Sequence, residues 1–193
     1  MEQTKDKIIA CAFELFAGKG YASTSMDDIV RVSGISKGGI YHHFKSKEEI
    51  FLAIAQDRLE KRQRLVLASA AQSAMERLMQ YISWTLQGYL TEEVQKNAKF
   101  TFEFWSVMSR NEQIAVKAKE RYLVFFTDLA AILQQGISAG EFAGNLDVEA
   151  MVYLLLSTMD GIGFMNAVMG VPLTEETIRT YQNMIAKQVR NSL

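Results

Sequence analysis

The sequence predicts an all-α protein: a three-helix N-terminal unit containing a helix-turn-helix, followed by a longer helical domain. Three observations carry this expectation. Residues 24–44, T-S-M-D-D-I-V-R-V-S-G-I-S-K-G-G-I-Y-H-H-F, place a polar helix start, a glycine turn and a second short helix in succession. Apolar residues recur at three- and four-residue spacing through the segments on either side. No segment reads as a strand, and only one proline interrupts 193 residues.

The elements follow in order. Ile8, Ile9, Ala12, Phe13 and Phe16 make a helical stripe that Gly18 and Gly20 terminate, and Tyr21 then supports the edge of the domain. Cys11 in this helix has no cysteine partner in the chain and reads as a small buried apolar side chain. Thr24 is placed to cap the next helix, with Asp27 and Asp28 favouring its positive end. Ile29 and Val32 give that helix its apolar face, and Gly34 permits the turn. Ser36 caps the second short helix, which Ile40 and Phe44 anchor. Lys37, Gly38, Gly39, Tyr41 and His42 are left near the end that enters a major groove. Two adjacent glycines weaken a helix by about 1 kcal/mol each relative to alanine. Their missing side chains would let the backbone approach DNA closely, a loose turn being the alternative. Between Arg31 and Lys47 there are four basic residues and no acidic one, on a chain of net charge -1. Such a local patch suits salt-dependent attraction to phosphates.

Residues 5–51 resemble the N-terminal domain of the TetR family of transcriptional repressors, through K-D-K-I-I-A-C-A-F-E-L-F-A-G-K-G-Y and the helix-turn-helix stretch continuing to K-S-K-E-E-I-F. The resemblance implies that Thr24, Lys37, Tyr41, His42 and Lys47 occupy positions that commonly touch DNA. It puts Lys37, Gly38 and Gly39 in the recognition turn, and Tyr41 and Lys47 on phosphates. Ser33 and Gly39 depart from the residues usual in the family, and a glycine at 39 removes one base contact. The resemblance also places a dimer interface on the last long helices and leaves the ligand open.

A boundary is expected near Lys47, giving a DNA-binding domain over residues 1–47 and a regulatory and dimerisation domain over 48–193. Ser46 caps the helix that starts there, Glu48 and Glu49 fill its first turn, and Ile50, Phe51 and Ile54 form its face. Asp57, Arg58, Glu60, Lys61, Arg62 and Arg64 give it a solvated middle. Further amphipathic segments run through Met75 to Tyr89, with a turn near Thr91, then through Phe100 to Met108 and Tyr122 to Ile137. Asp147 caps a helix that Gly170 and Pro172 end, and Thr174 caps the last one.

Residues 118–139 and 147–169 are apolar beyond one stripe, as expected of half an intermolecular four-helix bundle. Phe125, Leu129, Leu133, Met151, Leu155 and Ile162 are the candidates for that dimer contact, an internal hairpin being the alternative. A two-fold pair of readers would match an inverted repeat with centres about one helical turn apart.

Acids set among aromatics suggest an effector pocket. Glu103 lies between Phe100, Phe104 and Trp105 in sequence, and Asp160 interrupts an apolar helix. Either carboxylate could meet a cationic or hydrogen-bond-donating ligand, with Trp84, Phe126, Tyr153 and Phe164 supplying ring faces. Alternatively Glu103 faces solvent or pairs with Arg110 or Arg121, and the aromatics are core. The ten methionines suit an adaptable pocket and a core equally well.

Catalysis is not expected. His42 and His43 are the only histidines, one cysteine precludes a zinc set, and neither a nucleotide-binding loop nor a nucleophile elbow is present. With 49% hydrophobic residues and no run of 18 apolar ones, the chain reads as globular, cytoplasmic, free of membrane and of metal or other cofactor. These readings combine into a repressor that binds palindromic double-stranded operator DNA as a homodimer and is released by a small hydrophobic effector, with a cation as the form the acids favour. A transcriptional activator of the same fold and a non-catalytic helical adaptor are the alternatives.

Overall fold

The computed structural model describes residues 2–67, 73–90 and 92–190, and all regular structure among them is helical. The turn expected near Thr91 and the side chains of Arg58, Lys61, Arg62, Arg64, Arg121 and Tyr122 lie outside the described residues. The helices are α1 (Glu2–Lys19), α2 (Met26–Ser33), α3 (Lys37–His43), α4 (Lys47–Leu67), α5 (Ala74–Gln87), α6 (Glu92–Met108), α7 (Glu112–Ser138), α8 (Val148–Ala167) and α9 (Glu175–Arg190). They form two compact units. The first comprises Met1–Lys61 with Lys99–Arg121, and the second Arg62–Ala98 with Tyr122–Leu193.

In the first unit the stripe of α1 (Ile8, Ala12 and Phe16) is buried against Ile29, Ile40, Phe44, Ile50, Phe51 and Ile54, as its spacing predicts. The core does not end there. Phe100, Phe104, Ile114 and Ala118, from beyond residue 98, belong to the same cluster. Phe51 is its hub, with ring centroids 5.4 Å from Phe16, 4.5 Å from Tyr21, 5.1 Å from Phe100 and 5.2 Å from Phe104. The boundary expected near Lys47 therefore falls inside this unit. Three local expectations need correction. Tyr21 is a core ring rather than an edge support, Val32 points outward at 47% exposure, and Cys11 is only half-buried. Val32 sits three residues beyond buried Ile29, and on a two-turn helix only one narrow strip can face α1.

The second unit centres on α5, whose buried Leu78, Tyr81, Ile82 and Leu86 pack with α8 and α9. Ser73 caps α5 in a reciprocal box with Glu76. Glu141 adds its carboxylate to the Ala74 and Met75 N–H groups, each at 3.0 Å, and those bonds hold it below the usual carboxylate range. Two glycines make room for rings. A Cβ on Gly136 would lie 2.1 Å from the Phe142 ring, and one on Gly163 would lie 2.3 Å from Tyr89. Asp147 and Thr174 cap α8 and α9 as expected, accepting from Ala150 N–H (3.0 Å) and Thr177 N–H (3.1 Å). Helix α8 is long and apolar enough to cross a membrane by length and composition. It also buries Met151, Val152, Leu155, Leu156, Met159 and Gly163 within the protein.

Candidate nucleic-acid interface

The start of α2 is fixed by a reciprocal box one residue later than the sequence suggests. Ser25, not Thr24, is the cap: Asp28 N–H donates to Ser25 Oγ (3.1 Å), and Ser25 N–H donates to Asp28 Oδ2 (3.0 Å). Asp28 also holds Lys19 and Arg31, each at 2.7 Å, and lies well below the usual carboxylate range because of the Lys19 contact first, then Ser25 and Arg31. The S-x-x-D spacing was the signal available for this, masked by the neighbouring threonine. Thr24 instead turns inward, 2% exposed, and its hydroxyl donates to the Gly20 carbonyl at 2.8 Å.

Gly34 closes α2 at φ +66, with its N–H on the Val30 carbonyl. That left-handed turn is the conformation glycine adopts without steric cost. Ser36 then caps α3, accepting from Gly39 N–H at 3.1 Å. The two glycines differ. A Cβ on Gly39 would meet Ile35 Cγ2 at 2.9 Å and Ser36 Oγ at 3.2 Å, so this glycine serves the tight helix start. A Cβ on Gly38 would meet open space, leaving its backbone approachable from outside.

Lys37, Tyr41 and His42 project to solvent from α3, with Tyr41 at 36% exposure. Lys37 Nζ lies 3.0 Å from Asp27 Oδ1, and that carboxylate raises its pKa. Lys45 reaches back to the Tyr41 carbonyl at 2.7 Å, satisfying the C-terminal end of α3. The His42 and His43 rings meet edge to face at 5.2 Å. Lys47 is different in kind. Its ammonium donates to the Tyr21 carbonyl (2.7 Å) and the Thr24 carbonyl (2.8 Å) and sits 4.1 Å from the Tyr21 ring centroid. Burial lowers its pKa, while Glu48 and Glu103 oppose that shift. Among the eight residues expected to read DNA, the structure thus gathers Ser36, Lys37, Gly38, Gly39, Tyr41 and His42 on one short helix and its cap. Thr24 and Lys47 are engaged instead with the loop before α2, Thr24 on the Gly20 carbonyl and Lys47 on the Tyr21 and Thr24 carbonyls.

The residues expected to bind an effector divide between the units. Phe100 and Phe104 stack at 6.3 Å inside the first unit's core, and Trp105 is half-buried against that core. Glu103 accepts the Tyr21 N–H at 2.6 Å. In the second unit Phe126 and Tyr153 meet edge to face at 5.3 Å, Asp160 is half-buried, and Trp84 and Phe164 are largely exposed. The residues expected at a dimer contact are mostly internal. Leu129, Leu133, Met151 and Leu155 are buried in the unit's own core, and Phe125 and Ile162 are half-buried.

A capped α2, a left-handed glycine turn and an outward-facing basic and aromatic α3 on a stable helical support define a helix-turn-helix regulator. Residues 8–54 match the family model for bacterial regulatory proteins of the tetR family, and residues 74–189 match that for the C-terminal domain of BetI-type transcriptional repressors. The chain belongs to the TetR family of transcriptional regulators, whose members act by binding DNA and not by catalysis. It is 32% identical over 166 residues to the HTH-type regulator YfiR of Bacillus subtilis, covering 83% of this chain and 80% of that one. It is also 32% identical over 164 residues to QacR of Staphylococcus aureus, covering 82% and 83%. Among solved structures, GusR of Salmonella enterica superposes with a TM-score of 0.79 at 24% identity over 98% and 96% of the chains. A regulator from Saccharomonospora viridis in complex with choline does so at 0.78 and 20% identity, over 100% and 98%.

Proposed function

We propose that this regulator is a repressor that binds palindromic operator DNA as a homodimer and is released by a small hydrophobic effector. The observation that carries the reading is the surface of α3. Tyr41 and His42 project to solvent, Lys37 is exposed beside Asp27 on the same face, and the Gly38 backbone is uncovered, while the Ser36 cap holds the start of the helix. Lys37 and the N-terminal turn of α3 are assigned to base edges and Tyr41 to the phosphate backbone.

The dimer contact is assigned to the outer stripe of α8. Leu154, Ser157, Gly161, Met165 and Val168 recur at three- and four-residue intervals and are exposed, although the helix is apolar on both sides. Gly161 has open space above it, which lets a partner helix come close. Burying this stripe against a second copy removes an exposed apolar surface that water disfavours. Two readers so joined match an inverted repeat.

The effector is assigned to the second unit, where Trp84, Phe126, Tyr153, Phe164 and Asp160 lie. Asp160, half-buried on α8, is the carboxylate assigned to a cationic effector, with the rings of Trp84, Phe126, Tyr153 and Phe164 as the faces that would pack on it. Release requires that the effector bind the DNA-competent geometry less well than the alternative. Selection of bound duplexes from a random pool tests the core of the reading. The expected result is an inverted repeat bound by a particle of twice the 21.8 kDa chain mass, and recovery of no sequence preference overturns it. Choline and a larger aromatic quaternary cation are the first probes for release from the selected duplex.

A further inference from the structure

The loop from Gly20 to Ser25 delivers the chain into α2, and its backbone is held on both sides. Gly20 is at φ +85, and a Cβ there would lie 3.4 Å from Glu103 Oε1. The next residue, Tyr21, donates its N–H to that same oxygen at 2.6 Å, across 82 residues of sequence. On the other side Lys47 ties the Tyr21 and Thr24 carbonyls together at 2.7 and 2.8 Å, and the Thr24 hydroxyl closes onto the Gly20 carbonyl at 2.8 Å. The Gly20 N–H makes the last bond back into α1, to the Phe16 carbonyl at 3.1 Å, and for the Tyr21 N–H that follows a partly buried carboxylate supplies a strong and directional partner. Lysine has three donors, and two of those on Lys47 are spent on carbonyls.

We propose that Glu103 is a positioning residue for operator reading: from α6 it fixes the loop that sets the start of α2, and Lys47 completes the clasp from α4. This rests on the DNA-binding reading above. The apolar part of the contact is already provided by Phe100 and Phe104 on the same helix, three residues before Glu103 and one after it, which pack on Phe51. What the carboxylate adds is direction. It fixes the position of one peptide group five residues before Met26, the first residue of α2.

The experiment uses the full chain, the duplex recovered by selection, and hydrogen exchange at the Tyr21 amide. Glu103→Ala should speed exchange at that amide by about tenfold or more and weaken operator binding by about tenfold, a charge-assisted bond having been lost. Its salt dependence should stay that of the wild type, since no phosphate contact is removed. Glu103→Gln keeps an acceptor oxygen without the charge and should fall between the two on both readouts. Lys47→Ala should weaken operator binding with an unchanged salt slope, whereas a slope reduced by about one would make Lys47 a phosphate contact and remove it from the clasp. If the alanine variant does not fold, the order of wild type against Glu103→Gln decides. Wild-type exchange and affinity in the Glu103 variants that fold overturn the proposal. A wild-type protein that selects no duplex defeats the DNA-binding reading instead, and Tyr21 exchange in the free protein still decides whether the clasp exists.

Discussion

The helix pair α2 and α3 and the long helix α8 are all regular helical structure, yet they owe their geometry to different physics. In the first, nearly every turn is fixed by a short-range device: a reciprocal box at Ser25 and Asp28, a left-handed Gly34, a cap at Ser36. In α8 the decision is made by which of two apolar faces finds a partner within the chain. Met151 and Leu155 are buried, whereas Leu154 and Met165, equally apolar, are exposed. Local rules determine conformation almost residue by residue, while an apolar helix determines only that something must cover it.

Glutamate placed on each face of α8 gives the largest effects and separates the two roles. Leu155→Glu buries an unpaired charge in a fully enclosed site and should cost more than about 4 kcal/mol, seen as loss of the cooperative denaturant transition. Leu154→Glu should keep the circular dichroism and midpoint of the wild type at low protein concentration, but sediment as the 21.8 kDa monomer. A folded Leu155→Glu monomer would reverse the assignment of the faces.

Gly34→Ala sharpens the other side of the comparison. At φ +66 with open space around it, the substitution meets no clash and should cost only the left-handed penalty, about 1–2 kcal/mol in urea denaturation. Ser25→Ala should cost about 1 kcal/mol, as is typical of a lost cap. Thr24→Ser should cost less, since it keeps the inward hydroxyl on the Gly20 carbonyl; a Ser25→Ala change without measurable cost would show that the cap has been misplaced. Gly38→Ala, helical and unobstructed, should stabilise the free protein by up to about 1 kcal/mol. It should also weaken operator binding if DNA approaches that backbone.

The smallest effect expected is a pH dependence. Asp28 has a folded pKa lowered below its unfolded value near about 3.9, so its contribution is fully present above that value and is lost as pH falls below it. Denaturation midpoints should therefore drop more steeply below about pH 4 in the wild type than in Asp28→Asn. Equal slopes would show that the Lys19 and Arg31 contacts of Asp28 are too solvent-screened to matter.

The difference between these regions also explains what could be read from the chain. Helical periodicity and turn chemistry found the nine described α-helices, the glycine turn and the cap at Ser36, because those features depend on residues within a few positions of one another, though not the starts of α6 at Glu92 and α7 at Glu112. They misplaced the α2 cap by one residue, since Thr24 and Ser25 are both good caps and the choice depends on the Thr24 hydroxyl finding the Gly20 carbonyl. The inward turn of Lys47 was out of reach for a similar reason: its partners are carbonyls 23 and 26 residues away. Glu103 and its aromatic neighbours were legible as unusual but not as part of the reader's support. Nothing within F-T-F-E-F-W says that Phe100 and Phe104 will meet Phe51.

That meeting bears on how such regulators can be recombined. Genes exchange functions most readily when a reading module can be joined to a foreign sensor at one crossover point. Here no single crossover releases the reader whole, because half the rings around Phe51 are encoded some fifty residues downstream, after the intervening start of the second unit. A chimera that takes only residues 1–61 inherits the α3 surface while depending on its new host for substitutes for Phe100, Glu103 and Phe104. The core that carries α3 is in this sense encoded by an interleaved stretch of gene, and hybrids that keep it intact should carry residues 99–121 along with the first sixty-one.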